Sequence, residues 1–198
     1  MRIVLDAGHG IPYAGATGRV RGIKEQDVTL NVCFELKRVL EANNHTVYLT
    51  RNSQGCLVPS DRTLDLNARA AVAGRLNANC LISIHCNSAA DTRAHGFECF
   101  TTPGRDISDG LASEILRSYG YAFPHLTLRA DMRDGDADKE ADLRVIKRLS
   151  PGIAGVLFEL AFLSNQTEEA WLGDRRNHSM IAEALAQGIY NWGKHTLG

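Results

Sequence analysis

Short apolar runs alternate along this chain with longer segments in which apolar residues recur every three or four positions. The short runs predict β-strands, and the longer segments predict helices that place one apolar face on a sheet. Such alternation is typical of α/β domains, in which helices connect parallel strands. We therefore expect an α/β fold with a mostly parallel, twisted sheet of about five or six strands and helices on both faces. Strand character is found at Arg2–Asp6, Thr46–Arg51, Cys80–His85, Gly96–Thr101 and Gly155–Leu160.

Four helices are predicted from the spacing of apolar residues and from plausible N-caps. They cover Asp27–Asn43, Ser60 or Asp61 to about Asn77, Ile107–Tyr119 and Ser179–His195. A further apolar segment, Leu143–Ile146, has the character of a short strand.

Length and charge limit the classes of function that need to be considered. The 198 residues show no shift of composition and suit a single domain over 1–198, which we expect to be monomeric. With 22 Lys plus Arg against 23 Asp plus Glu, no basic excess is available to neutralise phosphates, so nucleic acid is not an expected partner. No apolar stretch approaches the roughly 18 residues of a membrane span, so no integral membrane segment is expected.

The N-terminus and the cysteines both suggest a chain that folds in the cytoplasm. Arg2 is followed at once by a strand pattern, so we expect synthesis without a signal peptide. The five cysteines are odd in number and show no CxxC spacing, which favours reduced thiols buried as small apolar residues.

Three of the predicted strands end in residues that bind metals or transfer protons. These residues are His9, His85 and Glu159. Sites in open α/β sheets form beyond the carboxyl ends of the strands, so the three side chains can meet if their strands are parallel neighbours. Because Glu159 has apolar neighbours in the sequence, a cation or a proton has to compensate its charge. The residues alone leave a metal site and a carboxyl with a raised pKa both open.

A charged stretch, Arg129–Asp142, contains almost no apolar residues and is expected to be a solvated loop, with a metal or substrate site as the alternative. Its Asp134-x-Asp136-x-Asp138 spacing is that of a calcium loop. However, the sixth position is Lys139 and the twelfth is Val145, where that motif requires Gly and Glu, so the motif is rejected.

Six sequence blocks lie in order along the chain. They are Leu5-Asp6-Ala7-Gly8-His9-Gly10, Gly22-Ile23-Lys24-Glu25, Thr50-Arg51, Ile82-Ser83-Ile84-His85-Cys86-Asn87, Gly96-Phe97-Glu98 and Leu157-Phe158-Glu159-Leu160-Ala161-Phe162-Leu163-Ser164-Asn165. Taken together, these blocks resemble the zinc-dependent N-acetylmuramoyl-L-alanine amidases, the catalytic domain of bacterial cell-separation amidases, sporulation amidases and phage endolysins. The resemblance runs from residue 2 to about residue 192. Two departures are Ile11, where a second Gly usually follows the His-Gly pair, and Ala161, where Gly is common after Glu-Leu.

The resemblance implies that His9, Glu25 and His85 bind Zn²⁺ and that Glu159 is the catalytic carboxylate. Three protein ligands would leave a fourth position open, as in catalytic zinc sites. From the sequence alone, Glu25 is also an ordinary first-turn acid favoured by the helix dipole. The implied reaction is hydrolysis of the amide bond between N-acetylmuramic acid and L-alanine in peptidoglycan, on the periplasmic or extracellular side after release or export.

Two other functions stay open. One is another zinc peptidoglycan hydrolase, a peptidase or a deacetylase. The other is a non-catalytic wall-binding module, although a degenerate relative would be expected to have lost at least one of the four residues His9, Glu25, His85 and Glu159.

Other polar residues receive more modest expectations. Asn87 either contacts the substrate or closes the turn after its strand, whereas Arg51 and Arg69 are expected to form structural pairs. His95 either supports a ligand or is exposed, and we expect exposure. Cys86 should point to the opposite face of the sheet from His85. Four further histidines are expected at the surface: His45, His125, His178 and His195.

Overall fold

The computed structural model describes residues 1–133 and 135–196 and contains one six-stranded sheet. The strands are β1 (Arg2–Ala7), β2 (Thr46–Leu49), β3 (Cys80–Asn87), β4 (Glu98–Thr101), β5 (Lys139–Glu140) and β6 (Ala154–Phe162). Their order in the sheet is β2-β1-β3-β6-β4-β5. Only the β4–β6 pair is antiparallel among these strands, so the expected mostly parallel α/β sheet is confirmed.

Helices cover both faces of the sheet, as expected. They are α1 (Glu25–Ala42), α2 (Arg62–Arg75), α3 (Ile107–Ala122), α4 (Arg144–Lys147), α5 (Gln166–Leu172) and α6 (Arg175–Thr196). Alternate residues of each central strand face opposite sides. In β1, Ile3 and Leu5 pack into the larger core with α1, α3 and α6, whereas Val4 packs into a smaller core with α2 and α4. No helix in the described part of the chain is long and apolar enough to cross a bilayer.

The predicted helix boundaries are confirmed in part. Asp61 caps α2, since its Oδ1 accepts a hydrogen bond from the Leu64 N–H at 2.9 Å. Helix α1 begins two residues before the predicted Asp27 cap, and α6 begins four residues before Ser179.

The predicted strand at Leu143–Ile146 is wrong, because these residues enter the short helix α4. Val145 and Ile146 are adjacent and both buried in the smaller core. A strand would point them to opposite faces, whereas a helical turn buries both.

The Arg129–Asp142 stretch is only partly the expected solvated loop. Its end contributes the edge strand β5, and Asp138 is buried. Asp134 of the rejected calcium-loop spacing lies outside the described residues, as do residues 197 and 198.

All five cysteines are free thiols, as expected, and four of them are buried. On β3, Cys86 belongs to the larger core. Leu81 packs in the smaller core, and it shares a face of the strand with His85 because the two are four residues apart. Cys86 therefore lies on the opposite face from His85, as predicted.

Candidate metal centre and active site

His9 follows β1 in a turn that only glycines on both sides permit. A Cβ on Gly8 would lie 2.6 Å from His85 Cε1 and from the Ile84 carbonyl oxygen, so a side chain does not fit there. Gly10 has a φ of 134°, which L side chains rarely adopt. His9 itself has a φ of 64°. The Gly-His-Gly sequence thus brings the imidazole close to the end of β3.

Two buried arginines hold this turn through hydrogen bonds to its backbone carbonyl oxygens. Arg69 donates to the carbonyl oxygens of Ala7 at 2.8 Å and His9 at 2.6 Å. Arg51 donates to the carbonyl oxygens of Ala7 at 2.8 Å and Gly8 at 3.0 Å. The expected structural pairing is found for Arg69, which pairs with Asp6 and Asp65, whereas Arg51 binds mainly backbone carbonyl oxygens. Together the two arginines fix the backbone that carries His9.

Glu25 is the first residue of α1, and its carboxylate lies between the two histidines. Oε1 is 3.2 Å from His9 Nε2 and 3.1 Å from His85 Nδ1. The same oxygen accepts the Cys86 N–H at 2.9 Å, and Oε2 accepts the Ala16 N–H at 2.8 Å. Each residue of the trio offers a ligand atom within 4.8 Å of the others. The structure therefore brings together the three predicted ligands from β1, α1 and β3.

The donor set fits a zinc ion. Two ligands of one zinc ion, each at roughly 2.0–2.1 Å from the metal, lie about 3.3 Å apart, which is close to the His–Glu distances here. His9 Nδ1 lies 3.2 Å from the Tyr13 carbonyl oxygen, so Nδ1 carries the donated proton and the Nε2 lone pair stays free for a metal.

Glu159 lies beside this trio, directly opposite His85 in the β3–β6 register. Its Oε2 is enclosed and accepts no hydrogen bond within the described part of the chain. Such an unsatisfied carboxyl oxygen is costly unless a ligand or a proton compensates it. A cation site with a reacting water next to it would do so.

The two glutamates have pKa values displaced in opposite directions. Burial raises the pKa of Glu159 well above its usual value, and the charges of Glu25 and Glu98 add to the effect. Burial also opposes ionisation of Glu25, but hydrogen bonds and charge from His85 and His9 outweigh it and hold the Glu25 pKa well below its usual value. Paired carboxyls with opposite shifts are typical of a site in which one binds and the other transfers a proton.

Asn87 is part of a polar network that the sequence did not predict. Its Nδ2 donates to Glu98, and its Oδ1 accepts the Ser88 N–H at 2.9 Å, which closes the turn after β3. Glu98 also pairs with Arg129 at 3.0 Å and with Lys139. Glu98 lies opposite Glu159 in the β4–β6 register. Only the Gly96-Phe97-Glu98 block pointed to this position, and nothing local connected it with residues some 30 to 40 positions later.

Glu169 of α5 is a second residue that the sequence did not single out. Its carboxylate accepts the N–H groups of Val20 at 2.9 Å and Arg21 at 2.7 Å, and thereby fastens the loop that leads to Glu25. These backbone donors overcome the effect of burial and lower the Glu169 pKa. In the sequence, Glu169 looks like an ordinary first-turn acid.

Three of the remaining histidines follow the expectations, since His95, His125 and His195 are exposed. His45, also expected at the surface, is half-buried. The expected surface position of His178 is wrong, since it is buried with Nε2 2.7 Å from the Leu172 carbonyl oxygen. Helix α6 begins before Ser179, so His178 lies on its inward face next to the end of α5.

A cavity of about 190 Å³ opens beside the histidines. Its lining residues include His9, Tyr13, Arg62, Leu66, His85 and Arg144. The cavity gives the site an approach from the α2–α4 side of the sheet.

Comparison with known proteins connects this arrangement with one family. Residues 3–191 match the family model described as N-acetylmuramoyl-L-alanine amidase. The N-acetylmuramoyl-L-alanine amidase AmiC of Neisseria meningitidis is 26% identical over 96% of this chain and 52% of its own length. The germination-specific N-acetylmuramoyl-L-alanine amidase of Bacillus subtilis is 27% identical over 96% of this chain and 78% of its own length.

The fold comparison agrees with the sequence comparison. The CwlD amidase of Clostridioides difficile, solved in complex with the GerS lipoprotein, superposes with a TM-score of 0.88 and is 26% identical, covering 98% of both chains. The present chain spans only about half the length of relatives such as AmiC.

Proposed function

The chain belongs to the N-acetylmuramoyl-L-alanine amidase family, and we propose that it hydrolyses the amide bond between N-acetylmuramic acid and L-alanine in peptidoglycan. In this proposal His9, Glu25 and His85 hold a zinc ion, and Glu159 is the catalytic carboxylate. The observation that carries it is the juxtaposition of the His–Glu–His trio with the buried, unpartnered Oε2 of Glu159. The site of action is the cell wall, on the periplasmic or extracellular side.

A zinc ion held by these three residues would supply Lewis acidity to the amide carbonyl and to a water molecule. Glu25 keeps its negative charge. Backbone N–H groups hold its carboxylate, and the carboxylate in turn contacts His9 and His85 and keeps both rings in place. Because Arg51 and Arg69 fix the backbone around His9, the trio is organised before substrate arrives.

Glu159 moves the proton during the reaction. Its Oε2 accepts a proton from the attacking water, whose oxygen bonds to the carbonyl carbon. The same carboxyl then gives the proton to the nitrogen of L-alanine as the C–N bond breaks, which yields glycan and free stem peptide. The raised pKa favours delivery of the proton to the leaving nitrogen, whereas a cation held by the neighbouring trio would favour the ionised Glu159 that accepts the proton first.

Asn87 is proposed to contact the substrate at the rim of the site. Its amide is oriented by Glu98, and Glu98 is itself held by Arg129 and Lys139. This network keeps the Asn87 amide against Glu98, which lies opposite Glu159 in the β4–β6 register.

Exchange of Glu159 for Gln tests the catalytic assignment. Glu159→Gln should lower the release of stem peptide by about 10²- to 10⁴-fold, the usual contribution of general acid–base catalysis, while zinc content stays the same. Wall digests would be followed by mass spectrometry and metal content by elemental analysis. The exposed Glu183→Gln is the matched control and should keep full activity. Near wild-type release by Glu159→Gln would remove Glu159 from this role.

Chelation tests the zinc assignment in the same assay. Removal of the metal should abolish wall lysis, and added zinc should restore it. An amidase leaves intact stem peptides and unchanged glycan, whereas a peptidase shortens the stems and a deacetylase releases acetate. Wall binding with no chelator-sensitive cleavage would support a non-catalytic module instead.

A further inference from the structure

Three aspartates outside the candidate active site lie close together. Asp109, Asp136 and Asp138 each offer a carboxylate oxygen within 4.8 Å of the other two. Asp109 lies in the first turn of α3, whereas Asp136 and Asp138 lie directly before β5. Asp138 is 1% exposed and Asp109 is 8% exposed, so water hardly reaches them. Carboxylates buried this close to one another need a cation or a proton between them.

The unpartnered oxygens of this cluster are an observation separate from the clustering itself. Asp138 Oδ2 accepts the Thr101 hydroxyl at 2.6 Å, but Asp138 Oδ1 and Asp136 Oδ1 are enclosed and receive no hydrogen bond from an N–H or O–H group of the other described residues. Protein cations of the same stretch are paired elsewhere, since Arg129 and Lys139 contact Glu98.

The pKa values are consistent with this arrangement. Burial raises the pKa of Asp138, and the Thr101 hydroxyl opposes the rise. A hydrogen bond to the Asp136 carboxyl and the charges of Asp136 and Asp109 add to the rise, so that the pKa reaches about 7. Burial also raises the pKa of Asp109. Without a cation, the folded chain therefore resists ionising Asp138 near neutral pH.

We propose that Asp109, Asp136 and Asp138 bind a second metal ion, a divalent cation of the calcium class. Calcium prefers carboxylate oxygens and accepts flexible ligand geometry, whereas a site with only oxygen ligands is a poor match for zinc. The aspartates come from two distant segments, which explains why a single-loop calcium motif is absent from the sequence. This site is chemically distinct from the His–Glu–His trio.

The cation would fasten the edge of the sheet to α3. Strand β5 has only two residues, Lys139 and Glu140, and pairs only with β4 in the sheet order. Asp138 contacts Thr101, while the next residue, Lys139, contacts Glu98 and lies over the Phe100 ring at 5.8 Å. Consecutive extended residues point to opposite faces, so a cation on Asp138 also fixes where Lys139 meets the Glu98–Asn87 network.

Calcium titration of the full chain, with zinc present and calcium first removed, tests the proposal. Calorimetry should show one bound Ca²⁺ with a Kd of about 10⁻³ M or tighter, and Tm should rise by a few °C in roughly 10 mM CaCl₂. Asp136→Asn should weaken binding at least about tenfold and remove the rise in Tm. Asp142→Asn removes the same charge from the same stretch, but Asp142 pairs with Lys147, so this control should behave as wild type.

Three results would overturn the assignment. The first is a Tm that neither CaCl₂ nor MgCl₂ changes. The second is calcium binding of equal strength in Asp136→Asn and in a second variant, Asp138→Asn, both with wild-type circular dichroism spectra. The third is a shared proton in place of the cation, seen as a Tm that rises from about pH 8 to about pH 6 in wild type but not in Asp136→Asn, with no effect of CaCl₂.

Discussion

Asp6 and Arg69 form a buried ion pair directly beneath the turn that carries His9. Asp6 Oδ1 is 3.1 Å from Arg69 Nη1, and Asp6 also accepts the hydroxyls of Thr50 at 2.5 Å and Ser83 at 2.6 Å. Burial works against the charge of Asp6, but Arg69 and the two hydroxyls outweigh it, so the pKa of Asp6 is lowered. The charged form of Asp6 is therefore the form that the fold requires.

Exchange of Asp6 for Asn should lower the free energy of unfolding by about 3 kcal/mol at pH 7, because it leaves part of the buried Arg69 charge uncompensated. A lowered pKa stabilises the folded state above the unfolded value near 3.8, and this stabilisation is lost as the pH falls through the lower folded value. The difference between wild type and Asp6→Asn should thus be constant from pH 7 to about pH 5 and should shrink below about pH 4.

Urea unfolding at several pH values would measure this difference, and the exposed Asp142→Asn is the matched control. A difference that is already absent at pH 7, or that persists unchanged in acid, would show that the Asp6–Arg69 pair does not contribute in this way.

At the scale of elements, two glycines lie where α3 and α6 cross, and their surroundings differ. A Cβ on Gly188 of α6 would lie 2.6 Å from Ile115 Cα and 2.8 Å from the Glu114 carbonyl oxygen, so the two helix backbones touch there. A Cβ on Gly110 of α3 would meet Trp192 at 3.6 Å, which is ordinary contact.

Gly188→Ala should therefore destabilise the fold by about 1–3 kcal/mol through overpacking against backbone that cannot rotate away. Gly110→Ala should instead stabilise it by about 0.5–1 kcal/mol, because alanine loses less backbone entropy in a helix. Thermal unfolding of both variants would compare them directly. Equal effects of the two substitutions would contradict the close approach of α3 to α6 at Gly188.

At the scale of the whole molecule, one core joins elements from both ends of the chain. The larger core contains residues of β1, α1, β3, α3, β6 and α6. Trp192 lies in this core, and Trp171 of α5 packs against it, with its ring 5.1 Å from Phe123. The single domain expected over 1–198 stays a prediction, and this shared core supports it.

Urea unfolding should accordingly be one cooperative transition. Tryptophan fluorescence, which reports on α5 and α6, should change at the same urea concentration as far-UV circular dichroism, which reports on all elements. The comparison is made with the site loaded with zinc and after chelation, since bound metal shifts the midpoint. Two separated transitions would indicate independent folding units.

Local pattern was sufficient for the fold class and for part of the site. Strand and helix periods depend on neighbouring residues, so the alternation predicted the parallel sheet, and the strand ends predicted where His9, His85 and Glu159 meet. A glutamate among apolar neighbours needs a metal ion or a proton to compensate its charge. For this reason the sequence indicated Glu159 as a candidate functional residue. The short helix α4 was missed because four residues span barely one helical turn, so the apolar positions do not repeat.

Only the tertiary structure shows which residues of distant segments contact one another. Glu25 becomes a partner of His9 and His85 because Glu169, far along the chain, fastens the loop before it. Asn87 is oriented by Glu98, and Glu98 in turn by Lys139. The aspartate cluster unites α3 with the stretch before β5. These contacts depend on how the chain folds back on itself and on burial, and neither produces a periodic pattern in the sequence. The sequence therefore determined the architecture and the chemical types of the site residues, whereas the three-dimensional packing determined which residues are their partners.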